Sequence, residues 1–137
     1  MATTVFFQKF RQEEEIAIPF EDAMSFLSTY GIVGKGSGGY EVTFPPDEIA
    51  DVANLVGSER EGILCIGVER PVHGDSFRDF AFEAMQKFGL TFFDDALEDI
   101  YVVNASSIAD IPSRILEESE NGVTTISSKD EIWQVPN

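Results

Sequence analysis

A chain of 137 residues, 43% hydrophobic and 12% aromatic, carries enough apolar side chain for one packed core and one domain spanning 1–137, and too much for a disordered segment. Its 25 Asp and Glu against 9 Lys and Arg leave a formal net charge of −16, a field that repels nucleic acid, anionic membranes and free nucleotides and attracts basic partners. Acids outnumber bases by eight to three over residues 1–50, eleven to four over 51–103 and six to two over 104–137, so the charge belongs to the whole surface and not to a tail.

In chain order, the β-branched and aromatic run TTVFFQKF (3–10) reads as a strand, and EEEIAIPF as a second short strand or an extended lead-in. Pro19 suits a helix start, and apolar residues at 20, 23, 24, 27 and 30 recur at helical spacing up to Gly31. A glycine-rich stretch follows, read as a flexible connector, and then the short strand YEVTF (40–44), stopped by Pro45 and Pro46. Asp47 would cap a second helix with apolar positions 49, 52, 53 and 56, closed by Gly57. GILCIGVE (62–69) is a continuous apolar run of strand length, the pattern of a central strand covered on both faces.

The third helix is expected over 76–88, with Phe77, Phe80, Ala81, Ala84, Met85 and Phe88 on one stripe. LTFF (90–93) and DIYVV (99–103) flank the acidic corner DDALED, and one or both read as strands. Asp110 and Pro112 open a fourth helix, and the tail from Val123 to Val135 reads as a hairpin or single strand anchored by Trp133. This alternation implies an α+β or α/β domain: a mixed central sheet of about five or six strands with about four helices packed on it. A ferredoxin-like core of two split β-α-β units is one arrangement that fits.

Several motifs bear on chemistry. Gly34, Gly36 and Gly39 match G-x-G-x-x-G, but that fingerprint binds pyrophosphate only between a strand and a helix N-terminus. Here a helix precedes it and a strand follows, so no cofactor is expected. His73, the only histidine, could act as a general base with Asp75 or Glu69 orienting it, next to the end of the central strand; this is the enzyme or ligand-binding alternative. The bland reading is a loop histidine ahead of a capped helix. Cys65 stands alone among Ile and Leu, which excludes an intramolecular disulfide and a cysteine-based zinc site and reads as an inert buried thiol. With a single histidine and no calcium-loop spacing, no metal site is expected.

The acidic clusters are the remaining lead. Glu13, Glu14 and Glu15, and Asp94, Asp95, Glu98 and Asp99, are candidate contacts for a basic partner. A charge run is most often only a solvated surface, and Glu117 to Glu120 share that ambiguity. Phe82 lies off the apolar stripe of the third helix and is a candidate aromatic anchor. The N-terminus has no basic segment followed by a long apolar run, so a cytoplasmic chain without a signal peptide is expected. The leading expectation is a non-catalytic acidic module of the inhibitor, immunity or antitoxin type that blocks a basic enzyme or toxin. An adaptor subunit of a larger complex is a further alternative. Oligomeric state is not readable from the chain.

Overall fold

TVFFQKFR forms β1 (Thr4–Arg11) at the middle of the molecule, and the turn after it returns as β2 (Glu14–Ile16). The structure, a computed structural model, describes residues 3–36 and 39–133. Pro19 precedes α1 (Phe20–Ser28), which carries Glu21 and Asp22 in its first turn, where the helix dipole favours negative charge. The chain then runs through β3 (Ile32–Gly36), β4 (Gly39–Thr43), β5 (Val52–Ser58) and β6 (Gly62–Glu69). After α2 (Asp75–Phe88) come β7 (Thr91–Asp94), β8 (Ile100–Val102), a 3₁₀ helix (Ala105–Asp110), α3 (Ser113–Glu118), β9 (Val123–Thr125) and a 3₁₀ turn (Lys129–Glu131). Among the described residues no helix is long and apolar enough to cross a membrane.

The domain is α+β, built on one mixed sheet with nine strands among the described residues, larger than the five or six expected. Its order is β3-β4-β5-β6-β1-β7-β8-β9, with β2 paired to the end of β1. Every pairing is antiparallel except β8 with β9. GILCIGVE is central, as its continuous apolar run implies, and α2 carries the chain from β6 over β1 to β7, a split β-α-β unit. From α1 the chain instead enters β3, at the far edge.

Two expectations are corrected. Residues 52–58 are a strand and not a helix. Apolar positions 49, 52, 53 and 56 fit a helical period, but Ala53 and Leu55 alternate inward with period two while Val56 is 57% exposed, and pairing with β4 and β6 decides the outcome. The glycine stretch is likewise no simple connector: Gly34 and Gly36 lie within β3, paired with Glu41 and Gly39 of β4. Ser37 and Gly38 lie outside the described residues. At the C-terminal end a single strand, β9, forms, and Trp133 packs against the core.

Alternate residues of these strands build two different faces. On the first, Val5, Phe7, Leu55, Ile66, Val68 and Phe92 meet α1 and α2, whose Phe26, Leu27, Phe77, Phe80 and Met85 are all buried. Phe80 is the hub: its ring centre lies 5.8 Å from Phe7, 5.5 Å from Phe44 and 5.1 Å from Tyr30, all edge-on. α2 stops at Gly89, left-handed at φ 69°, whose N–H donates to the Met85 carbonyl. On the second face α3 and the first 3₁₀ helix cover only one end, packing Ile111 and Ile115 on Phe10, Phe93, Ile100 and Val102. The rest of that face is open, with Ile32, Gly34, Thr43, Asn54 and Val56 exposed.

Candidate binding groove

The covered and open parts of the second face meet at a groove of about 680 Å³. Its floor is Phe6, Cys65 and Phe93, its far side Val56 and Leu64, and its near wall Leu97 and the α3 residues Ile115, Arg114 and Glu118. A bulge shapes the far side. Val56 pairs with Cys65 and Gly57 with Ile63, so Leu64 is one residue in excess and turns to the same face as Cys65. Gly57 (φ 144°) and Gly62 (φ 93°) make this possible: a Cβ on Gly57 would collide with the Gly62 carbonyl, and one on Gly62 with the Ile18 carbonyl.

Acidic side chains rim the groove: Glu15 from β2, Asp95 just past the end of β7, and Glu118 from α3, while the buried Asp94 also contributes to the lining. Arg114 is the one base in its lining. The two ion pairs among the described residues, Arg78–Asp75 and Lys129–Asp79, lie elsewhere, so these carboxylates have no cationic partner within the described part of the chain. Gln8 donates to Glu15 at 2.9 Å and holds it over the floor. Burial pushes the Cys65 thiol up to about 11, with the Gln8 hydrogen bond opposing, so the thiol is neutral at physiological pH and serves as apolar floor.

The acids expected to act together do different things. Glu13 accepts from the Ser113 hydroxyl and N–H at 2.6 and 2.8 Å, which ties the β1–β2 turn to the start of α3 and holds the Glu13 carboxyl below the usual range. Asp94 is buried, and its carboxylate accepts from the N–H groups of Glu98 and Asp99 at 2.8 and 3.1 Å, folding the DDALED corner. Asp99 is half-buried; burial first, then the neighbouring Asp94 charge, raises its pKa. Glu14, Glu15, Asp95 and Glu98 are exposed. Glu15 and Asp95, eighty residues apart, share the groove; Glu14, Glu98 and Asp99 are outside its lining. Phe82 sits on α2, over the opposite face of the sheet, half-buried beside Tyr30, Asp79 and Lys129, so it does not join the acids.

His73 is exposed on the loop after β6, its ring stacked on Trp133 at 4.0 Å, and Trp133 stacks in turn on Phe77 at 4.8 Å. Asp75 faces Arg78 at 3.8 Å, and Arg78 Nε donates to the Ile132 carbonyl, pinning the C-terminal segment on α2. Glu69 ends β6, exposed. The residues around His73 thus form an anchoring cluster for that segment. Lys35 lies 5.7 Å over the Tyr40 ring, on the β3–β4 hairpin and not at a helix N-terminus. Among the described residues no group of three or more His, Cys, Asp or Glu side chains is placed to hold a metal ion.

Sequence reasoning missed the apolar half of the groove. Phe6 and Leu64 read only as strand residues, and the helical spacing of positions 49, 52, 53 and 56 hides Val56. Glu118 was visible as part of an acidic run. No family model matches this chain, and no curated protein and no solved structure is significantly similar to it.

Proposed function

We propose that this chain is a protein-binding module of the inhibitor, immunity or antitoxin type, acting without catalysis on a basic enzyme or toxin in the cytoplasm. One observation carries the reading: an apolar groove ringed by Glu15, Asp95 and Glu118, none of them ion-paired among the described residues. Such a site fits a partner segment that presents an apolar side chain flanked by Lys or Arg. The −16 field steers the encounter, the floor of Phe6 and Phe93 takes the anchor, and the rim sets orientation.

The test compares the native chain with the triple variant Glu15→Lys, Asp95→Lys, Glu118→Lys as bait in lysate of the cells that express it. Asp94 is kept because it holds the corner together. The native chain is expected to retain a basic protein at about 0.1 M salt and to release it toward 1 M, where the screening length falls to about 3 Å. The variant, with unchanged circular dichroism, is expected to retain none. Capture that ignores both salt and charge reversal overturns the reading.

A further inference from the structure

The β3 edge is the second open feature of the sheet, and its chemistry differs from the groove's. Hydrogen bonding alternates along an antiparallel strand. The Phe44 N–H donates to the Asp51 carbonyl at 3.1 Å, so Tyr40, Val42 and Phe44 face the β5 side, and Glu41 and Thr43 face β3. Their partners on β3 are Gly34 and Ile32. Val33 and Lys35 therefore aim their N–H and C=O groups outward, where no further strand pairs among the described residues.

This edge lacks the usual protection. β9, at the other end, is only three residues long, whereas β3 has five, with no proline and a single charge. Ile32, at its start, is 77% exposed. Charge selects the occupant. Residues 23–40 contain no Asp or Glu in a chain that has 25, and Lys35 is their one charged side chain. Glu41 of β4, paired with Gly34, is the nearest carboxylate, but β3 itself carries none, so two copies of this anionic chain meet along it with little repulsion.

The edge is also complementary to itself. In an antiparallel pair centred on Gly34, Val33 of one copy exchanges both backbone bonds with Lys35 of the other. Gly34 then faces Gly34 in the close pair, with Cα atoms about 4.5 Å apart. Ile32 lies beside Gly36 of the second copy, over which the Glu41 carboxylate of that copy folds, so this side chain must turn aside for Ile32 to pack. The monomer gives no reason for the glycine: a Cβ on Gly34 would meet nothing within 4 Å, and its φ is not in the left-handed region. Glycine inside a strand commonly marks close approach of another backbone.

We propose that β3 is a self-association edge: two copies join β3 to β3 antiparallel about Gly34, extending the sheet across a two-fold axis. The proposal stands apart from the groove, and salt separates the two: it weakens the acidic site and strengthens pairing between like-charged copies. The experiment is sedimentation equilibrium of the full chain from ~1 µM to ~1 mM, in ~0.1 M and ~1 M salt.

The mass is expected to rise from 15.2 kDa toward twice that value, and at lower protein concentration in the higher salt. Gly34→Asp, which sets two carboxylates against each other in the close pair, is expected to weaken association about tenfold or more in a chain that circular dichroism shows still folded, although the new carboxylate also stands opposite Glu41. Val33→Pro, which deletes an outward N–H, should act in the same direction. The Val33 and Lys35 amides should exchange more slowly in concentrated than in dilute samples. A native chain that stays at 15.2 kDa throughout, a Gly34→Asp chain that associates as the native one does, or concentration-dependent protection that leaves these two amides untouched overturns the proposal.

Discussion

Phe6 and Phe7 are neighbours on β1, yet Phe7 is fully buried beneath two helices while Phe6 is half-buried on the floor of an open groove. The same contrast recurs on β5, with Leu55 4% and Val56 57% exposed, whereas Cys65 and Phe93, on the same face as Phe6, are themselves buried. One face is sealed by α1 and α2; the other is sealed only where α3 and a 3₁₀ helix reach it. On the proposed reading, stability and recognition fall to alternate residues of the same strands. A face can be left open because the phenylalanine-rich one supplies most of the buried apolar area.

The sharpest way to break this comparison is truncation of the two phenylalanines. Phe7→Ala is expected to cost about 3–5 kcal/mol in urea unfolding, the usual range for emptying a packed aromatic site. Phe6→Ala is expected to cost about 1 kcal/mol, since water already reaches its ring. Equal losses would make the second face as much a core as the first.

Two glycines set the next contrast. Gly62→Ala forces a Cβ into the Ile18 carbonyl at positive φ and is expected to lose about 1–3 kcal/mol. Gly34→Ala, with open space around it, should stay within about 0.5 kcal/mol. A smaller effect separates the adjacent aspartates: Asp94→Ala unties two N–H groups of the corner and should cost about 1–2 kcal/mol, whereas Asp95→Ala on the exposed rim should leave the unfolding midpoint in place.

The smallest effect is one of pH. The Glu13 carboxyl titrates below its ordinary value because Ser113 hydrogen-bonds its charged form. Its contribution is therefore complete above the ordinary glutamate pKa and is lost as pH falls through the lowered one. Glu13→Ala is expected to lower the unfolding midpoint near neutrality, with the gap from the native chain closing in acid. A gap that is constant with pH would mean that the β1–β2 turn is held on α3 by something other than this charge.

Much of the fold was legible where one segment's period agreed with its burial. The stripe of α2 and the continuous run of β6 each report their own environment, because the side chains that repeat are those that pack. The helical spacing over residues 47–57 misleads because a short apolar run satisfies both periods, and only partners on either side make 52–58 a strand. Of the groove, the acids were visible as runs, but not that Glu13 and Asp94 are committed to holding turns while Glu15 and Asp95 stay free at the rim.

The amino-acid sequence by itself determined an anionic single chain, a helix-and-strand alternation and the aromatic content of its core, because composition and local periodicity need no knowledge of neighbours. Tertiary structure alone decided that Glu15 and Asp95 stand over one apolar floor and that GKG of the glycine stretch is an edge strand. Both depend on which distant segments hydrogen-bond side by side, and that pairing is a property of the assembled sheet rather than of any one stretch.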